Sequence, residues 1–265
     1  MSSSNPEKEE FLEALLTIYR VDPCGVLPNA FWKVKPRIEE LNTFLEIENK
    51  TITHLQMSSD TDLHLYWHSD RKIPTISSSQ LKNLKFVLIH QNYISSFTLD
   101  QFKTKELYFR LVHQQEPIPP IKLPAGYRFA QVDIHHEVSL IVDVLTACYP
   151  GWQFSKDQIW NWTKHPVHDP DLWLWIMDKH KEPAALGIAE VDETIPEASL
   201  EWIQVVPSYR GKQLGKCLVM ELLNRVKDRV AFTTVSGKVD NPTNPEKVYR
   251  SCGFQGRDEW WVLRR

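Results

Sequence analysis

Leu214, Leu218, Leu222 and Val226 recur every four residues, so one apolar stripe runs along a helix placed at Lys212–Asp228. Just before it, Ser199–Val206 is a mostly apolar run closed by Pro207, which cannot donate to a ladder, and this pattern predicts a strand. The same reading places strands at Tyr127–Val132, Asp171–Met177, Ala184–Val191, Ala231–Ser236 and Glu259–Leu263. It places helices at His136–Ala147, Lys156–His165 and Pro245–Cys252. In the first half it predicts helices at Glu7–Arg20 and Pro36–Glu48, with strands at Asp62–Trp67, Lys85–His90 and Leu107–Val112. Helices and strands mixed along both halves put the chain in the α/β (α+β) class.

Four prolines between Pro117 and Pro124 forbid a helix and favour extended chain. They divide the sequence into a smaller α/β domain at 1–118, a proline-rich linker at 119–125 and a second domain at 126–265. A length of 265 residues suits two such domains. Gly25 is the only glycine before Gly126, so a loop whose backbone must approach a ligand closely belongs to the second half, and none is expected in the first. Thirty-one basic against thirty-four acidic side chains leave a net charge of −3, which gives no bulk attraction to nucleic acid or anionic membrane. Cys24, Cys148, Cys217 and Cys252 form no CxxC pair, which argues against a zinc ribbon and a disulfide framework and suits a reducing cytoplasm. The first ten residues are polar and acidic, and no run approaches 18 uninterrupted apolar residues, so neither export nor membrane crossing is expected.

The junction between Val206 and the helix carries the strongest chemistry. Arg210, Lys212 and Lys216 put three cations at a helix start, the end that already bears about half a positive charge. Each cation there costs about 0.3–1 kcal/mol unless an anion neutralises it, and a phosphate held by the free N–H groups would do so. Other phosphate loops fit less well. Gly211 and Gly215 are one residue too close for GxxxxGK[ST], Cys217 follows Lys216, and no GxGxxG occurs.

The stretch from Glu201 to Gly215, followed by Asn241-Pro-Thr-Asn-Pro-Glu-Lys-Val-Tyr-Arg-Ser-Cys-Gly-Phe254, resembles the GNAT superfamily of acyl-CoA N-acyltransferases. The resemblance covers 126–265, with Arg210 and Gly215 in register with the family's phosphate loop. It implies a mixed central sheet flanked by helices, and the element order of the first domain permits a degenerate copy of the same fold. It also implies acetyl-CoA as co-substrate and no metal. The backbone of Ile203, Gln204 and Val205 would pair with the pantetheine arm, and Arg210 with the N–H groups of Gly211, Lys212, Gln213, Leu214, Gly215 and Lys216 would hold the pyrophosphate. Gln213 replaces the loop's middle glycine, so φ below zero or a shifted phosphate is expected there. Pro242 stands where the family has an asparagine, leaving Asn241 or Asn244 for the cofactor, with Asn241 ranked first.

Acyl transfer from a thioester to an amine requires the ammonium to lose a proton and the leaving thiolate to gain one. By resemblance Tyr249 is the acid. Glu201, alone in an apolar strand, is the candidate base, and Asp192 and Glu193, in the turn between that strand and the one before it, are rivals. Tyr149, Trp152, Phe154, Trp160, Trp162, Trp173 and Trp175 fall where the family binds its acceptor, and read first as core and lid packing, with an aromatic acceptor pocket as the alternative. Cys217 and Cys252 read as packing residues, and His64/His68, on a strand, as no metal site. The expected function is acetyl transfer to a primary amine on a small molecule or peptide. The alternatives are a CoA-binding sensor or scaffold without turnover, or O-acyl transfer on the same fold.

Overall fold

The computed structural model describes residues 5–265. The chain runs α1 (Pro6–Val21), α2 (Pro23–Val26), α3 (Phe31–Glu40), β1 (Asn42–Glu48), β2 (Thr51–Ser58), β3 (Asp62–His68), α4 (Ser78–Asn83), β4 (Phe86–His90) and β5 (Thr104–His113). It continues through β6 (Arg128–Gln131), α5 (Ile134–Cys148), α6 (Lys156–Trp162), β7 (Trp173–Met177), β8 (Pro183–Asp192), β9 (Glu197–Val205), α7 (Leu214–Val226), β10 (Phe232–Lys238), α8 (Pro245–Ser251) and β11 (Gln255–Arg264). No helix among the described residues is long and apolar enough to cross a membrane.

The expected helix at Pro36–Glu48 is corrected. The helix is α3, and Asn42–Glu48 is β1, paired antiparallel with β2. Ile38, Leu41 and Leu45 mimic a helical stripe, yet Asn49 and Lys50 both take positive φ (51° and 67°), the geometry of a two-residue hairpin turn whose twist matches its strands. No Asn-Gly or Asp-Gly signals that turn, so β1 and β2 are both hidden from the pattern.

The chain forms two compact units, and they are not the linear halves expected from the prolines. The first holds 1–112 with 236–244 and 256–265; the second holds 113–235 with 245–255. Strands β10 and β11 change unit along their length, because the last strand pairs with β4 (Trp260↔His90 to Arg264↔Phe86). In the first unit β1, β2 and β3 are antiparallel and β3 is parallel to β4. One of its core clusters joins Leu63, Tyr66, Val87, Ile89, Tyr93, Phe97, Phe102 and Leu263.

In the second unit β6, β7, β8 and β9 are successively antiparallel, and β10 is parallel to β9. Alternation on β8 decides which helix covers which face. Leu186 and Ile188 join the α5 cluster of Val138, Ile141, Val144 and Leu145, whereas Gly187 points the other way, where an added Cβ would meet Leu218 of α7 at 2.8 Å. Trp173 and Trp175 are fully buried on the α5 face, with Trp175 Nε1 donating to Glu137 Oε2 at 2.8 Å. These two are core residues.

Candidate active site

Against β8, the register of β9 runs from Glu197↔Asp192 to Leu200↔Ala189 and resumes at Trp202↔Ile188. Glu201 is therefore the extra residue of a β-bulge, which bends a strand and increases its twist. Against β10 the ladder ends at Leu200↔Val235. From Trp202 to Val205 the strand keeps β8 on one side and, among the described residues, has no ladder partner on the other. Burial changes at the same point, from buried at Glu197–Leu200 to half-buried at Glu201–Val205. An extended ligand carrying amides can pair with such an edge as an added strand.

The free edge leads to the loop expected to hold phosphate. A 3-10 turn at Pro207–Tyr209 follows β9, Gly211 has φ +81°, and Gln213 has φ +62°. The expectation of φ below zero at Gln213 is corrected: the glutamine keeps the left-handed backbone of the glycine it replaces, at a cost of about 1–2 kcal/mol. Gln213 gives α7 no side-chain cap, and the helix's first backbone bond is Cys217 N–H to Gln213 O at 3.1 Å. The N–H groups of Leu214, Gly215 and Lys216 thus lack acceptors inside the helix and point out of its positive end. These donors and the left-handed positions beside them suit an anion, which is the fit a CoA pyrophosphate requires.

Side chains of the loop hold one another in place. Arg210 Nε donates to Val205 O at 3.2 Å. Lys212 Nζ donates to Tyr127 Oη at 3.0 Å and lies 5.0 Å over the Tyr209 ring. Tyr209 Oη donates to Asp178 Oδ2 at 2.9 Å, and Asp178 Oδ1 accepts the N–H groups of His180 and Glu182. The Glu182 N–H, with help from the Tyr209 hydroxyl, holds the Asp178 carboxyl below its ordinary value. The loop is thereby pinned to the turn between β7 and β8, a tie across 31 residues that no local pattern announces.

Glu201 is half-buried, and Ser199 Oγ donates to its Oε1 at 2.8 Å. Tyr249, on α8, is enclosed and packs edge-on against Phe254 with ring centres 5.8 Å apart. Burial, reinforced by Tyr149, Cys252 and Glu201, pushes its phenol far above the ordinary 10, so it is a neutral hydrogen-bond donor at working pH. Asp192 and Glu193 sit before the opposite end of β9: Asp192 Oδ1 accepts from Thr194, and Glu193 pairs with Arg229 at 3.2 Å. At about 3.3 Å per residue that is far from the bulge, and neither is a rival base.

Tyr149, at the end of α5, accepts a 2.6 Å hydrogen bond from Gln204 Nε2. The Gln204 side chain is thus engaged, and only its backbone is offered to the free edge. Trp202 stacks on Trp162 (5.1 Å, 16°) and meets Tyr149 and Phe154 edge-on, while Trp152 is 62% exposed. Of the expected aromatics, Tyr149, Phe154 and Trp162 gather around Trp202, which was not among them, with Trp152 beside Tyr149 and Phe154, whereas Trp173 and Trp175 belong to the core. Cys217 and Cys252 are buried thiols raised by that burial, Cys252 to about 11, which makes them poor nucleophiles. His64 pairs with Arg37, and His68 Nδ1 accepts the Asp70 N–H. Asn241 and Asn244 lie in the 236–244 stretch of the first unit, where Asn241 Oδ1 accepts from Thr243 N (3.0 Å) and Oγ1 (2.8 Å).

Residues 138–254 match the model of the acetyltransferase (GNAT) family. No curated protein sequence matches the chain. Solved structures share its fold over nearly the whole length. A GCN5-related N-acetyltransferase from Sphaerobacter thermophilus aligns with a TM-score of 0.70 at 13% identity, covering 98% of this chain and 93% of its own. A GNAT-family acetyltransferase from Colwellia psychrerythraea gives 0.60 at 13%, covering 96% of each. A tandem GNAT protein from the clavulanic acid biosynthesis pathway gives 0.57 at 10%, covering 97% and 95%, so a GNAT-like domain before the matched one fits. At these identities the likeness speaks to fold, and it agrees with the family match in the second half. That half, matched over residues 138–254, is a GNAT-superfamily acyltransferase domain.

Proposed function

We propose that the chain transfers an acetyl group from acetyl-CoA to a primary amine on a small molecule or peptide by direct attack. The observation that carries this reading is a coincidence at one point of β9: the strand parts from β10 after Leu200, and the bulge there presents Glu201 at the head of a free edge that ends in an anion-suited loop. Acetyl-CoA supplies the acyl group as a thioester. The backbone of Ile203, Gln204 and Val205 pairs with its amide arm, and the loop from Arg210 to Lys216 holds its pyrophosphate. Asn241 and Asn244 are proposed for the same arm. Glu201 takes the ammonium proton, oriented by Ser199, and the neutral Tyr249 hydroxyl donates to the departing sulfur. The half-open wall of Trp152 and Trp202 suits an ammonium before it loses its proton, since aromatic faces attract cations. Four buried cysteines, none of them in a disulfide, suit a reducing cytoplasm.

The test is release of CoA thiol from acetyl-CoA across a panel of primary amines and alcohols. Amine-dependent release that drops at least about tenfold in Glu201→Gln supports the reading. Release with alcohols alone would move the chain to O-acyl transfer, and acetyl-CoA binding without release from any acceptor would make it a sensor.

A further inference from the structure

Successive side chains of a strand point to opposite faces, so Glu201 and Trp202 would ordinarily be separated by the sheet. The bulge in β9 brings them to one face. Ser199 lies opposite Glu190 and Trp202 opposite Ile188, and Glu190 and Ile188, two residues apart on β8, share a face, so Ser199 and Trp202 share it too. The extra residue joins them, because Glu201 Oε1 accepts the Ser199 hydroxyl at 2.8 Å. An indole therefore stands next to the proposed base. From Trp202 an aromatic surface runs outward: Tyr149 and Phe154 meet it edge-on with ring centres 5.7 and 5.6 Å away, and Trp152 lies 5.9 Å from Tyr149 and stacks on Phe154 at 6.3 Å and 22°. The row begins half-buried at Trp202 and ends in solvent at Trp152. An exposed indole continuous with such a row is surface suited to an apolar contact. Residues 149–155 and 202–206, which carry these four rings, contain no acidic or basic side chain, so Glu201 is the charge at the head of an otherwise uncharged surface.

We propose that the acceptor is an arylalkylamine, a primary amine on a short chain ending in an aromatic ring, with its nitrogen at Glu201 beside Trp202 and its ring on Phe154 and Trp152. The inference rests on the acetyl-transfer reading of the site and names the substrate class. A flat ring gains both from burial and from offset or edge-on contact with these side chains. A polyamine or an amino acid brings a second charge, which residues 149–155 and 202–206 cannot pair, and an unpaired charge is costly to desolvate. Trp152 thereby selects the acceptor without touching the reacting atoms.

The experiment measures kcat/KM of the full-length protein, with acetyl-CoA as donor, for 2-phenylethylamine, ethylamine and spermidine, in the wild type, Trp152→Phe and Trp152→Ala. A single methylene in an apolar pocket discriminates by about tenfold or more, so the wild type is expected to favour 2-phenylethylamine over ethylamine, and over spermidine, by at least about tenfold. Trp152→Ala is expected to shrink that ratio several-fold, mainly through KM, and Trp152→Phe to keep most of it, because phenylalanine retains a ring. Comparable kcat/KM for 2-phenylethylamine and ethylamine in the wild type overturns the proposal. So does a preference for spermidine, or a preference for the aromatic amine that Trp152→Ala leaves intact. Each of those outcomes still leaves an acetyltransferase acting on amines; if none of the three amines is acetylated, the proposal falls together with the acetyl-transfer reading on which it rests.

Discussion

A glutamine at position 213 holds a glycine's backbone, and that choice can be measured. At an ordinary position, introducing glycine costs about 0.5–1 kcal/mol of chain entropy. Relief of the left-handed strain, about 1–2 kcal/mol, exceeds it, so Gln213→Gly is expected to leave the melting temperature unchanged or raised. A clear fall would place the strain elsewhere. Tyr249→Phe keeps the ring against Phe254 and removes only the hydroxyl. We expect kcat to fall at least about tenfold with the dissociation constant for acetyl-CoA within a few-fold, because a general acid acts mainly in the transition state. An unchanged kcat, with chemistry shown to be rate-limiting, would make Tyr249 a packing residue. Arg210, Lys212, Glu201 and Tyr249 stand out in the sequence as candidates because each is anomalous where it stands: cations at a positive helix end, a lone carboxylate in an apolar strand, a tyrosine in a motif. Tyr209 with Asp178 and Gln204 with Tyr149 were not, since each residue alone is unremarkable and its partner lies 31 or 55 residues away.

At the scale of elements, α7 and β9 were read correctly from periodicity, but the bulge at Glu201 and the parting from β10 were not, because register is a property of two strands and the sequence displays one at a time. Strand β1 was lost to a competing helical stripe. The close packing of α7 on β8 yields a test: Gly187→Ala would push a methyl to 2.8 Å from Leu218, and overpacking of this kind costs about 1–3 kcal/mol. A variant as stable as wild type would mean that the helix yields freely. The inverted charge at the start of α7 yields another. In Lys212→Ala the lost cation–π contacts, about 0.5–1 kcal/mol at an exposed site, are offset by removing a cation from the positive helix end, about 0.3–1 kcal/mol. Arg210→Ala and Lys212→Ala should therefore leave unliganded stability nearly unchanged while weakening acetyl-CoA binding. Loss of more than about 1 kcal/mol without ligand in both variants would make these residues structural.

Across the whole molecule the chain changes unit between residues 112 and 113, ahead of the linker expected at 119–125, and segments 236–244 and 256–265 return to the first unit. Long-range strand pairing, which no local composition encodes, decides that return. Burial is the largest cause depressing His54 and His64 in the first unit and His113 and His168 in the second below the ordinary 6.5. Each is neutral when folded and takes up a proton more readily when unfolded. Their contribution is thus present above pH 6.5 and lost as pH falls through the depressed values. The melting temperature is expected to drop on acidification from pH 7 towards 5, with a shallower drop in His113→Asn; a flat profile would contradict the burial of these rings. The most direct test of the central claim, that the second unit is built around an acyl-CoA site, is thermal unfolding of the full-length protein with and without acetyl-CoA. A ligand that binds only the folded state adds about 2.7 kcal/mol at a hundredfold excess over Kd, so a concentration-dependent rise in melting temperature is the result predicted. No shift at millimolar acetyl-CoA would contradict it.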